Sequence, residues 1–170
     1  MNKWVCKIAL LLTVPLLLAG CGESGAPAPI TDGFTCHTVV TYHEMTIEGD
    51  LTCGKDGGVE LTFDQPKSLY GITLRWDGQE MRMALGEMSL AVPADKVPQS
   101  ALLCCLGGVL AADHEEGNRT DEGYVIAGEV EGKAYELVCD EDSGVPVSLS
   151  IPEEELTATF TDFKVLESTK

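Results

Sequence analysis

From Phe34 onward, apolar residues recur at every second position, the spacing of strands with one buried face and one wet face. In FTCHTVVTY the apolar positions are Phe34, Cys36, Val40 and Tyr42, and in MTIEGDLTC they are Met45, Ile47, Leu51 and Cys53. A hairpin turning at Glu44 and Met45 puts both sets on one face and sets Cys36 opposite Cys53. That pair is a candidate cross-strand disulfide, with two small core thiols as the alternative. A slip of two residues would part the thiols and leave the faces unchanged.

The alternation continues. Val59, Leu61 and Phe63 interleave with Glu60, Thr62 and Asp64 until Pro66 ends the run. Tyr70, Ile72, Leu74 and Trp76 then share a face, DGQ supplies a hairpin turn, and Met81, Met83 and Leu85 return. A second group holds Tyr124, Ile126 and Val130; Tyr135, Leu137 and Cys139; Val147, Leu149 and Ile151; and Leu156, Ala158 and Phe160. Eight or nine mostly sequence-adjacent strands make an antiparallel meander the economical topology. One segment breaks the pattern. PADKVPQSALLCCLGGVLAAD has Ser100 as a candidate N-cap and Leu102, Leu103, Leu106, Val109 and Leu110 at helical spacing. It is too apolar for a surface helix and is expected to pack across the sheet. Cys104 and Cys105 point about 100° apart on such a helix, so at most one can pair with Cys139. The fold class is mainly β (α+β), an antiparallel sheet capped by one or two helices.

The start of the chain has another character. Ile8–Leu18 is about half the roughly 20 residues that a membrane-spanning helix needs. Lys3 and Lys7 precede it and Leu18-Ala19-Gly20-Cys21 follows, the layout of a signal peptide. LAGC resembles the bacterial lipobox, which implies cleavage before Cys21 and acylation of its thiol. Two acyl chains anchor stably where one is marginal. The expected division is a signal peptide at 1–20, lipidated Cys21 with a Gly/Ser/Pro-rich tether at 21–33, a domain at 34–166 and a tail at 167–170. The partner so implied is a lipid bilayer, on the extracytoplasmic face of a cell membrane.

Charge and cysteines narrow the picture. The chain carries 11 basic and 28 acidic residues, a net charge of −17. Losing Lys3 and Lys7 leaves nine basic residues against 28 acidic ones, or −19. Nothing is then available to neutralise nucleic-acid phosphates, and an anionic lipid surface would repel the body, so acylation must hold it there. Of seven cysteines, removal of Cys6 and acylation of Cys21 leave five: Cys36, Cys53, Cys104, Cys105 and Cys139. At least one of them is unpaired.

Catalytic signatures are missing. The chain has no G-x-S-x-G elbow, H-E-x-x-H, C-x-x-C or phosphate-cradling glycine loop. His37 and His43 fall on the polar face beside Glu44 without a third convergent ligand, so no metal or other cofactor is expected. His114 lies in an acidic loop and is expected to be solvated. DEDSG lacks the alternating ligands and closing glutamate of a calcium loop and reads as a turn. Glu153–Glu155 reads as a charged turn or edge protection.

Two stretches carry a resemblance. GVELTFDQPKSLYGITLRWDG is similar to the segment of lipoprotein-carrier-like proteins in which a strand ends at proline and re-enters through L-x-G. GKAYELVCDEDSGVPVSLSIPEEELTATFTDFKVL resembles their closing segment, with the turn Asp140, Ser143, Gly144 and Pro146 and the ending Phe160, Asp162 and Phe163. The chain thus resembles the LolA/LolB-like superfamily, in its branch of short Gram-positive, clostridial lipoproteins. The resemblance implies a curved antiparallel sheet, an incomplete β-barrel with helices over its mouth, and an apolar cavity for acyl chains. Its best-known members use several lid helices, whereas one helix is evident here.

The expected function is non-enzymatic binding of a lipid or other hydrophobic ligand in the half-barrel. The candidate lining is Phe63, Ile72, Leu74 and Trp76, then Met81, Met83 and Leu85, with Leu103 and Leu106 from the helix. Packed core is the default for Met81, Met83 and Met88. The alternative is a dry-cored structural or sensory module that recruits another envelope protein.

Overall fold

The computed structural model describes residues 33–166 except 113, 115, 116 and 122. The expected signal peptide, Cys21, the tether up to residue 32 and the tail lie outside the described residues. Eleven strands form one antiparallel sheet: β1 (Phe34–Tyr42), β2 (Met45–Cys53), β3 (Val59–Gln65), β4 (Thr73–Trp76), β5 (Glu80–Leu85), β6 (Met88–Pro93), β7 (Asn118–Thr120), β8 (Gly123–Val130), β9 (Lys133–Cys139), β10 (Pro146–Ile151) and β11 (Leu156–Val165). The spatial order is β6-β5-β4-β3-β2-β1-β11-β10-β9-β8-β7. Two sequential meanders are therefore joined at one seam, where β1 runs antiparallel to β11. The two strands absent from the sequence reading, β6 and β7, are the two edges, so the sheet does not close into a barrel.

One helix, α1 (Leu102–Leu110), contacts β3, β4 and β8. β3 and β8 stand six places apart in the sheet order, about 29 Å if the sheet were flat. A nine-residue helix about 10 Å across cannot span that. The sheet must curl around it, and α1 fills the trough of a half-barrel. Ala101, not Ser100, is the N-cap, with extended backbone and no side-chain cap bond. The Ser100 carbonyl instead accepts the Tyr42 hydroxyl at 2.5 Å, tying the entry of the helix to β1. Among the described residues, no helix is long and apolar enough to cross a membrane.

Six of the eight apolar residues of the first hairpin are buried on the inward face as their parity requires, Phe34, Cys36, Val40, Ile47, Leu51 and Cys53, whereas Tyr42 is half-buried and Met45, beside the turn, is exposed. The register is offset by two from the expected one. His43 and Glu44 form the turn, His43 at φ 51°, and Tyr42 pairs with Met45. Cys36 consequently faces Leu51 while Cys53 faces Phe34. Of the two readings of Cys36 and Cys53, the pair of small core thiols is the one seen: no disulfide joins them, both are free and buried, and Cys104, Cys105 and Cys139 are free as well.

The resemblance motifs turn out to be turn and bulge chemistry. Asp140 Oδ1 accepts the Asp142 amide (3.2 Å), the Ser143 amide (2.9 Å) and the Ser143 hydroxyl (2.6 Å), and Gly144 follows at φ 70°. In β11, Asp162 at φ 54° makes a bulge between the pairs Thr35–Lys164 and His37–Thr161. The bulge turns Phe163 onto Phe34, ring centroids 4.9 Å apart.

The described core is drawn from both meanders and from α1, all between Phe34 and Phe160, so this unit carries the core it needs to fold by itself. Thr38 is the buried polar exception, and its hydroxyl donates to the Thr159 carbonyl at 3.0 Å. Gly49 marks the tightest approach. A Cβ there would stand 2.1 Å from the Thr62 carbonyl oxygen of β3, beside a register shift at Glu48 and Gly49. Gly49→Ala should therefore cost about 2 kcal/mol or more, read as a lower urea midpoint. An unchanged midpoint would contradict this packing.

Candidate functional site

The inward face changes character from strand to strand. One cross-strand row runs Leu51 (β2), Leu61 (β3), Leu74 (β4), Met83 (β5) and Leu90 (β6). Leu51 and Leu61 are fully buried and Leu74 is half-buried, whereas Met83 is 42% and Leu90 57% exposed. The neighbouring row, Cys53, Val59, Trp76, Met81 and Val92, runs from buried to half-buried in the same order. The cause is the helix: α1 contacts β3 and β4, and the sheet continues for two strands beyond.

The nine expected lining residues accordingly divide. Phe63, Leu103 and Leu106 lie in the solid core, 4%, 0% and 0% exposed, and line no open space. Leu74 and Met81 are partly buried against that core. Ile72, Met83 and Leu85 join Met88 and Leu90 around an almost wholly apolar groove of about 240 Å³. Trp76 lies at the other end of the wing, on a second cavity of about 380 Å³ between the β2–β3, β4–β5 and β8–β9 turns and the helix. Asp56, Asp77 and Glu131 line that mouth with Cys104, Gly107 and Gly108. A Cβ on Gly107 would meet Val59 Cγ2 at 3.0 Å, so glycine lets α1 sit down on β3. Sequence reasoning did not find the contribution of β6; its signal was Gly86-Glu87, a two-residue turn between Leu85 and Met88.

On the outer face, His37 is better supplied than the sequence reading allowed. Its Nδ1 lies 3.3 Å from Asp50 Oδ1 and its Nε2 3.3 Å from Glu48 Oε1. The β3 shift beside Gly49 adds Asp64, so donor atoms of His37, Asp50 and Asp64 lie within 4.8 Å of one another and could together hold a metal ion. Hydrogen bonding to Asp50 is the main cause that raises the His37 pKa, against a smaller opposing effect of burial. His43 is separate, in the hairpin turn, with Nδ1 3.5 Å from Glu155 Oε2. His114, expected to be solvated, has Nδ1 3.0 Å from the Tyr135 hydroxyl.

No protein-family model and no curated protein matches the chain. Among solved structures it is similar to an uncharacterized conserved protein from Thermus thermophilus, at 15% identity and a TM-score of 0.52, with 82% of each chain covered. It is also similar to a LolA superfamily protein from Nitrosomonas europaea (9% identity, TM-score 0.41, 81% of this chain and 88% of that one). A DUF1329 family protein from Desulfovibrio piger matches at 12% identity and a TM-score of 0.43, over 79% of this chain and 85% of that one. The likeness to the Thermus thermophilus protein is one of fold alone.

The thiols are built for packing. Burial pushes Cys36 and Cys53 up to about 12 and Cys104 and Cys139 up to about 11, and it raises Cys105. At pH 8 the folded chain therefore keeps them protonated and unreactive. Because the folded values lie above the unfolded one of about 8.5, their contribution to stability is complete below that pH and falls as the pH rises through 9 to 12. Aromatic-disulfide titration of the chain from Gly22 onward, without reductant, should show Cys104 reacting first and all five thiols only in denaturant. Fewer than five in denaturant would mean a disulfide.

Proposed function

We propose that this chain is an extracytoplasmic lipoprotein, anchored through acylated Cys21 and the 21–33 tether, that binds a lipid or other hydrophobic ligand without catalysing its conversion. The binding surface is the inward face of β4–β6, with Ile72, Met83, Leu85, Met88 and Leu90 around the apolar groove. The observation that carries this reading is the exposure gradient along one register row, from fully buried Leu51 to Leu90 at 57%. A monomeric body in water has no stabilising use for an uncovered apolar face of this kind. An acyl chain laid against it would bury apolar surface at about 25 cal/mol per Å².

Two further features support the reading. The lipobox-like LAGC and its tether would place the domain beside acyl chains in the envelope. The solid core around Leu103 and Leu106 directs the ligand to the open wing rather than to a closed chamber under the helix. That same core favours the second reading, an interaction module that recruits an envelope protein, in which case the wing would carry no lipid.

Native mass spectrometry separates the two. The chain from Gly22 onward, purified without detergent, should carry a lipid-sized adduct that dissociates on activation. Leu90→Glu should remove the adduct and leave the unfolding free energy from urea titration within about 0.5 kcal/mol of the parent, because the position is exposed. A consistently empty parent chain would sink the lipid-binding reading. For the anchor, Cys21→Ser should abolish incorporation of a labelled fatty acid into the full-length protein, and unchanged labelling would contradict acylation at that residue.

A further inference from the structure

The apolar groove and the carboxylate-lined mouth are separate cavities at opposite ends of the same inward face of β4 and β5. From Leu85 to Met81 the inward face of β5 runs about 14 Å. Met83 lies between them and pairs with Leu74, and Met81 pairs with Trp76. Trp76 lines the mouth of about 380 Å³. Asp56, Asp77 and Glu131 reach that opening from three different turns, and among the described residues no lysine or arginine lines it. Glu131 is close enough to raise the Cys104 thiol through its charge. Arg75 and Arg82 act on Asp77, but both line a separate surface with Asp77 and Glu80 rather than the mouth.

We propose that this mouth receives the positively charged head group of an amphiphile, an alkylammonium or quaternary ammonium, whose chain lies along the β4–β6 wing. The inference rests on the wing being the binding surface and adds the class of ligand. The π-face of Trp76 and the carboxylates of Asp56 and Glu131 attract the same charge, and an ammonium set over an indole between carboxylates meets both. A carboxylate or sulfate head group would face like charge on three sides. Asp77 is the fixed member of the set, since its Oδ1 accepts the amides of Gln79 and Glu80, both at 2.9 Å. Asp56 and Glu131 are the members to change. Asn at position 56 keeps the acceptor that the Gly58 amide uses at 3.2 Å.

Trp76 reports directly, because the chain has two tryptophans and Trp4 lies before Cys21. The chain from Gly22 onward is titrated below micelle formation with dodecyltrimethylammonium and, separately, with dodecanoate, while Trp76 emission is followed. The expected result is a Kd for the ammonium about tenfold lower than for dodecanoate at low salt. In Asp56→Asn/Glu131→Gln that ratio should fall to about twofold, and Leu90→Glu should weaken both ligands together. Equal binding of both probes overturns the head-group assignment and leaves the apolar wing standing. A preference that survives in Asp56→Asn/Glu131→Gln also overturns it, since the charge of the whole body would then be the cause. Failure of both probes to bind overturns the wing as well.

Discussion

A nine-residue helix has to cover an eleven-stranded sheet, and it is too small. The helix is about 14 Å long, whereas ten strand spacings amount to about 48 Å. Curling brings β3, β4 and β8 around α1, and the trough between them becomes the solid core. Curling cannot cover β5 and β6, which continue past the helix with inward side chains as apolar as those behind them. The exposed wing thus follows from where the helix ends. Everything proposed about ligand binding depends on that shortfall.

The seam between β1 and β11 makes the arrangement one body. It joins two meanders, and residues of the closing stretch that carries the sequence resemblance shape it and the turn before β10. Asp162 in a left-handed conformation creates the β11 bulge, and Phe163 folds back onto Phe34. Asp140 gathers the turn before β10 with a single carboxylate oxygen. Asp tolerates left-handed backbone and bonds to its own turn better than most residues. These two motifs of the closing stretch therefore mark fold geometry, and of the resembling stretches only the first, which contains Ile72, Leu74 and Trp76, reaches the wing. Function has to be argued from the inward face instead.

Much of the sheet was legible because alternation fixes which side each residue faces. Phe34, Cys36, Val40, Ile47 and Leu51 lie inward whatever the exact register. Register itself depends on one turn: setting it at His43–Glu44 rather than one residue later offset the cysteines and left them unpaired. Asp64 was out of reach for a similar reason, since only the β3 shift beside Gly49 brings it to His37. β6 was passed over because its alternating partners are Ser89, Ala91 and Pro93, small or rigid residues without the charge that makes outward positions plain. The division of the lining could not be read either. Phe63 and Met83 look alike in the pattern, and only the reach of α1 makes one of them core and the other surface.

The most direct test of the central claim uses the methionine methyl groups as reporters. Of the four methionines after Cys21, Met81, Met83 and Met88 lie on the wing, while Met45 stands in the first hairpin, 49% exposed and away from it. In a methyl-labelled chain from Gly22 onward, adding dodecyltrimethylammonium should shift the signals of Met81, Met83 and Met88 and leave Met45 in place. Shifts shared equally by all four, or confined to Met45, would contradict a binding surface on the uncovered face of the sheet.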